Sequence, residues 1–230
     1  MSKRKIILAV ALFVATLQLT AQKQYFEPQF YLGVNGGAMM PSVDFLPKVM
    51  QKSELGVVGG LSARYISEKN LGLLVELNYA QRGWNEDHEE IPDRSYRRTL
   101  NYVELPFMTH VYFGKKVKFV VNAGPQIAYL LNSSATMSDE MSDYIDRLHQ
   151  STNPNAAAQY RDDFKRFDYG IIGGAGVGMN MGSGDLFLEG RYYFGLGDIF
   201  ESRKSKENFY FNRSAHRIIE VKLSYYFKLK

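Results

Sequence analysis

The sequence predicts an all-β protein, an eight-stranded antiparallel up-and-down transmembrane β-barrel with long external loops. Three observations carry that reading. Apolar residues recur at every second position in segments of about ten, the links between segments alternate between short and long, and aromatic residues gather near segment ends.

The N-terminus comes first. Lys3-Arg4-Lys5 precedes an apolar run from Ile6 to Leu17, and Thr20-Ala21 offers a small residue for cleavage before Gln22. A run of about twelve residues is too short to span a bilayer as a helix, which needs roughly 20. Residues 1–21 therefore read as a signal peptide and residues 22–230 as the exported barrel domain.

The strands follow, at about 29–38, 54–66, 71–82, 100–113, 117–131, 167–180, 185–194 and 216–228. In the third, Leu71, Leu73, Val75, Leu77 and Tyr79 alternate with Gly72, Leu74, Glu76, Asn78 and Ala80. In the last, Arg217, Ile219, Val221, Leu223, Tyr225 and Phe227 alternate with His216, Glu220, Lys222 and Ser224. A helix would mix the two sets, whereas a strand gives each its own face. Residues 67–70, 114–116 and 181–184 form short turns, while 39–53, 83–99, 132–166 and 195–215 are long links. Membrane barrels have this layout, with periplasmic turns and external loops. Tyr65, Tyr79, Phe113, Phe119, Tyr129, Tyr169, Tyr192, Tyr225 and Phe227 fit aromatic belts at the two membrane surfaces, so the apolar face points to lipid and the polar face inward. A soluble lipocalin-like barrel would reverse the faces and leave the belts and export signal without purpose.

Composition removes several function classes. The chain has no cysteine, which excludes disulfides and thiolate metal sites. From Gln22 onward 25 basic residues face 24 acidic ones, giving no footing for nucleic acid. His88, His110, His149 and His216 lack metal-ligand spacing, and no cofactor is expected. Asp87-His88, Asp162-Asp163 and the Ser214/His216 pair are the candidates for rim catalysis. The last pair shares a strand face but has no third, orienting group, and all read as ordinary loop and strand residues. The expectation is a non-enzymatic protein.

The interior of an eight-stranded barrel is filled by its own side chains. By alternation the inward set includes Arg64, Glu76, Glu104, His110, Glu189, Arg191, Glu220 and Lys222, with Arg82 adding a cation near one rim. Charges confined there should pair, because an unpaired buried charge costs several kcal/mol. The first expectation is a rigid plug of salt bridges; a conduction path through rearranging pairs is the second. Pro106 and Pro125 should break the ladder or create bulges. The glycines of 173–178 lack the following helix of a nucleotide loop and should make room for long side chains from opposite strands.

In the third long link Met137, Met141, Tyr144, Ile145 and Leu148 follow helical spacing, and a second helix is expected over 156–164. The apolar stripe must cover something: it folds back over the barrel mouth, or it docks a protein partner. The fourth link carries Arg203-Lys204-Ser205-Lys206, a basic run that could meet lipid A phosphates or stay solvated.

Leu100-Asn101-Tyr102-Val103-Glu104-Leu105-Pro106-Phe107 and the run Val121 to Leu131 resemble the outer-membrane β-barrel domain family of Bacteroidota, also labelled porin family or PorT family. Leu77 to Gly83, Phe167-Asp168-Tyr169-Gly170 and Arg191 to Ile199 are similar to it as well, so the resemblance spans the mature chain. It implies one eight-stranded barrel in the cell outer membrane and no single activity. PorT itself is an accessory of type IX secretion, so the expected partners are outer-membrane lipid and an envelope or secretion-machinery protein. The alternatives are a small OmpA-type structural barrel and a rim enzyme acting on lipid or peptide.

Overall fold

The computed structural model describes residues 26–52, 54–86, 94–151, 157–200 and 211–229. Residues 1–21, read as the export segment, lie outside them, as do Asp87-His88 and the basic run at 203–206.

The strands are β1 (Gln29–Leu46), β2 (Gln51–Lys52), β3 (Gly56–Glu68), β4 (Leu71–Glu86), β5 (Tyr96–Gly114), β6 (Val117–Met137), β7 (Phe167–Asn180), β8 (Gly184–Gly195) and β9 (Arg213–Lys228). Eight form a ring in the order β4-β3-β1-β9-β8-β7-β6-β5, closed by β4 against β5. The two-residue β2 only adds to the outer end of β4, pairing Gln51 with Glu86. Every pairing around the ring is antiparallel.

Register fixes the size of the barrel. The ladder leads from Met40 through Ile219, Tyr192, Gly173, Ala123, Thr109, Leu73 and Tyr65 back to β1 at Phe30, ten residues lower. Eight strands with that stagger tilt by about 43° and enclose a bore that side chains can fill.

The alternation reads as apolar outward and polar inward. Leu73, Leu77 and Tyr79 are exposed, whereas Leu74, Glu76 and Asn78 are buried. Tyr79, Tyr129, Tyr169, Tyr192 and Phe194 are exposed toward the loop end; Phe30, Tyr65, Phe113, Phe119 and Phe227 are exposed toward the turn end. At that end Asn70 and Gly182 take φ of 72° and 85°, values that Asn and Gly tolerate best.

Several strands run further than alternation alone suggested. β1 continues to Leu46, β4 to Glu86 and β6 to Met137, while β5 begins at Tyr96. A crossing needs only about 9–11 residues, so these ends stand clear of the membrane on the loop side. There the inward faces carry Phe45, Trp84 and Tyr96 beside Glu86 and Arg98. Pro106 and Pro125 interrupt pairing on both sides of β5 without shifting its register. The β6 bulge lies instead at Leu131, between the Asn101–Asn132 and Tyr102–Leu130 pairs.

The inward glycines correct one expectation. A Cβ on Gly174 would meet Arg191 Cγ at 2.6 Å, and one on Gly176 would meet Glu189 Cγ at 2.7 Å. The space they leave serves the adjacent strand β8, not an opposite strand. A large side chain leaning across its neighbour needs a gap in that neighbour.

Helix α1 (Asp139–His149) follows β6. Ser138 caps it, accepting a hydrogen bond from Met141 N, and Asp139 and Glu140 in the first turn with Arg147 and His149 in the last suit the helix dipole. The helix expected over 156–164 is only a single 3-10 turn at Ala158–Tyr160.

Candidate functional site

Three layers of directly bonded side chains cross the bore. Nearest the turns, Arg64 on β3 donates to Asp185 Oδ2 at 2.5 Å, and its guanidinium lies 4.0 Å from the centre of the Tyr31 ring and 4.4 Å from that of Tyr226. Lys118 donates to both oxygens of the same carboxylate at 2.9 and 2.8 Å.

The middle layer joins opposite walls. Arg191 on β8 forks onto Glu76 on β4 through two bonds of 2.9 Å and donates Nε to Glu189 Oε2 at 3.1 Å. Such parallel pairing is the strongest form of guanidinium–carboxylate contact. Lys222 adds a third cationic bond to Glu76 at 2.7 Å. Asn122 donates its amide to Glu189 at 2.6 Å, which turns its Oδ1 to His110 Nδ1 at 2.7 Å, so Nδ1 carries the hydrogen. Asn35 and Asn78 extend the layer, with Asn78 donating to Glu76 at 2.9 Å.

In the outer layer Arg82 on β4 donates to Glu104 at 2.7 Å and to Asp168 on β7 at 2.6 Å. The Tyr102 and Tyr193 rings each lie 4.7 Å from its guanidinium carbon. Tyr193 also donates to Asp168 at 3.0 Å.

The structure thus places all eight inward residues named from the sequence inside the barrel, and seven of them are hydrogen-bonded into these layers. Glu220 differs: it is buried, and neither of its oxygens has a hydrogen-bond partner. Sequence reasoning missed Asp168, Asp185 and Lys118. Each occupies the inward parity of its strand, but at or next to the strand's first residue, where a face is hardest to assign.

Above the charged layers the bore is stoppered by a hydrophobic cap. Phe45, Trp84, Tyr96, Leu100 and Leu130 from the strand ends meet Met141 and Ile145 of α1, Tyr160, Phe200 and Phe211. Tyr144 and Leu148 pack against the same cluster. The helix stripe therefore covers the barrel mouth. This corrects its reading as a docking face: Met141 and Ile145 are buried and out of a partner's reach, and only Met137, at the end of β6, is exposed.

Two polar groups lock the cap beyond the outer aromatic belt. Arg98 donates to Asp162 Oδ1 at 2.5 Å, to Tyr160 O at 3.0 Å and to the Tyr96 hydroxyl at 2.8 Å, tying the 157–166 segment to β5. Glu86 accepts from the Tyr160 hydroxyl at 2.9 Å and from Trp84 Nε1 at 3.4 Å. Burial pushes the Glu86 carboxyl up to about 7, the two hydrogen bonds opposing it, and also lifts the Tyr96 hydroxyl to about 12.

Among the described residues the rim candidates for catalysis do not assemble; Asp87-His88 lies outside them. Ser214 and His216 are both fully buried. Ser214 Oγ accepts from Phe200 N at 3.2 Å, while the His216 ring lies edge-on to Tyr102 with centroids 5.7 Å apart. Asp162 is held by Arg98 and Asp163 by Arg161.

A family model described as an outer membrane protein beta-barrel domain matches residues 20–201. Among solved structures the chain is similar to Neisserial surface protein A, at 15% identity over 89% of this chain and 100% of that one, with a TM-score of 0.45. It is also similar to the outer membrane protein OprG of Pseudomonas aeruginosa, at 9% identity over 86% and 96%, with a TM-score of 0.48. A third is Ail, the attachment invasion locus protein of Yersinia pestis, solved with the heparin analogue sucrose octasulfate: 12% identity over 86% and 99%, TM-score 0.41. No curated protein matches the chain.

Proposed function

The chain belongs to the outer membrane protein beta-barrel domain family, and from that premise we propose that it is a sealed, non-enzymatic barrel with a structural or partner-binding role in the outer membrane. The observation that carries this reading is the Arg191–Glu76 fork across the full bore, closed above by the cap on Trp84 and Met141. An ion crossing the lumen would have to part guanidinium and carboxylate groups that are removed from solvent, at a cost of several kcal/mol per pair. Planar-bilayer recording of the purified barrel tests it: no stable conductance is expected, and a long-lived open channel refutes the sealed lumen. The burial of Ser214 and His216 supports the non-enzymatic part. Lipid A and surface-protein profiles unchanged by Ser214→Ala and His216→Ala are the expected result, and an altered profile in cells where the variants still fold refutes it.

The finer form of the proposal is a PorT-like accessory role in type IX secretion or envelope assembly, supported by the motif run from Leu100 to Leu131. Proteomics of medium and cell surface after gene deletion separates the two forms. Accumulation of C-terminally addressed cargo in the periplasm supports the accessory role; unchanged export leaves a small OmpA-type structural barrel.

A further inference from the structure

The lipid-facing row of β9 ends in a charge. Ile219, Val221, Leu223 and Phe227 are exposed along it, and the next outward position toward the loops is Arg217. Its ladder partners are Ser42 on β1 and Phe194 on β8, the latter in the outer aromatic belt. A guanidinium beside lipid requires compensation, and Arg217 has three forms of it. The group lies 3.8 Å from the centre of the Phe194 ring, donates to the carbonyls of Gly195 and His216 at 2.9 Å each, and donates to Asp44 Oδ2 at 3.2 Å. These contacts leave its side chain only 18% exposed. A second guanidinium converges on the same oxygen: Arg213, two steps of the alternation further out and 55% exposed, donates to Asp44 Oδ2 at 3.0 Å.

Two cations thus share one carboxylate oxygen, so the three side chains together carry one net positive charge at the boundary between acyl chains and headgroups. Arginine binds phosphate through its planar fork, and stacking on an aromatic ring fixes the plane of that fork in advance. A phosphate there would find one arginine already held and a second, half exposed and tied to the shared carboxylate oxygen.

We propose that Arg213 and Arg217, with Asp44 drawing them together, form a binding site for the phosphate of an outer-leaflet glycolipid of the lipid A type, whose acyl chains run down the Ile219–Leu223 face. The proposal rests on the outer-membrane placement and is independent of whether the lumen is sealed.

Native mass spectrometry of the mature chain refolded in detergent tests it, with phosphorylated lipid A and its dephosphorylated form as probes and the heat-shifted gel band as the folding control. The wild type should retain the phosphorylated form preferentially. Arg217→Gln should weaken that retention about tenfold, Arg217→Lys less, and neither should change binding of the dephosphorylated form. If Arg217→Gln does not fold, Arg213→Gln, altered at a half-exposed side chain, carries the same expectation at about threefold. Equal retention of both lipids by the wild type, or wild-type retention by folded Arg213→Gln/Arg217→Gln, overturns the proposal. Displacement of the lipid by millimolar inorganic phosphate also overturns it, by making this a free-anion site.

Discussion

Replacing Glu76 with Gln removes the charge on which the middle layer converges. Arg191 and Lys222 both bond to Glu76, and all three side chains are at most 1% exposed, so water cannot step in. Removing one partner of a buried pair costs about 3–5 kcal/mol because the other charge stays behind. Arg191 keeps Glu189, with Nη2 to Oε2 at 3.0 Å, so the loss falls mainly on Lys222. Glu220, two residues away on the same face of β9 with both oxygens unbonded, can take up that lysine. The expected destabilisation therefore lies at the low end, about 3 kcal/mol. Urea titration in lipid vesicles measures it, using the heat-shifted gel band for the barrel and emission of Trp84, the chain's only tryptophan, for the cap. A cycle with Lys222→Met should show coupling of about 2 kcal/mol. A Glu76→Gln variant within about 0.5 kcal/mol of wild type, with additive effects in the cycle, would refute the view that this layer is dry and charge-paired.

Arg98→Gln should free the 157–166 segment from β5, making Trp84 accessible to acrylamide while the folded gel band persists; unchanged quenching would remove Arg98 from its role as latch. The Glu86 carboxyl holds its proton more tightly folded, at about 7, than unfolded, at 4.5, so cap stability should fall as pH rises through that window. The gap corresponds to about 3 kcal/mol. Glu86→Gln should therefore match wild type near pH 4 and exceed it near pH 8 in Trp84 protection, and parallel pH profiles would contradict this. Gly178→Ala would place a Cβ 2.2 Å from Phe187 Cδ1, so the ring must shift at a cost of about 1–3 kcal/mol; a refolding yield and urea midpoint equal to wild type would show that the inward glycines are dispensable.

The faces of the strands were legible residue by residue. Glu76 and Leu77 could be assigned to lumen and lipid from parity alone, because a strand between water-free lipid and a narrow bore turns each side chain to one or the other. Asp168, Asp185 and Lys118 share that parity and fall inside the strands as read, but at their first or second positions, where few neighbours mark the face. Arg98 and Glu86 were harder, since they lie where β4 and β5 leave the membrane and no lipid enforces an apolar outer face. The stripe of α1 was visible as a stripe, but Met141 and Ile145 could have faced a partner or the barrel with equal spacing.

Parity and the order of short and long links by themselves determined the up-and-down barrel, its aromatic belts and the list of lumen residues, because those properties depend on one strand at a time. Which carboxylate meets which cation depends on the ten-residue stagger of the closed ring, set only when β4 pairs with β5. That stagger brings Arg191 to Glu76 across 115 residues of chain, leaves Glu220 without a hydrogen bond, and sets Arg217 beside Asp44 at the edge of the lipid.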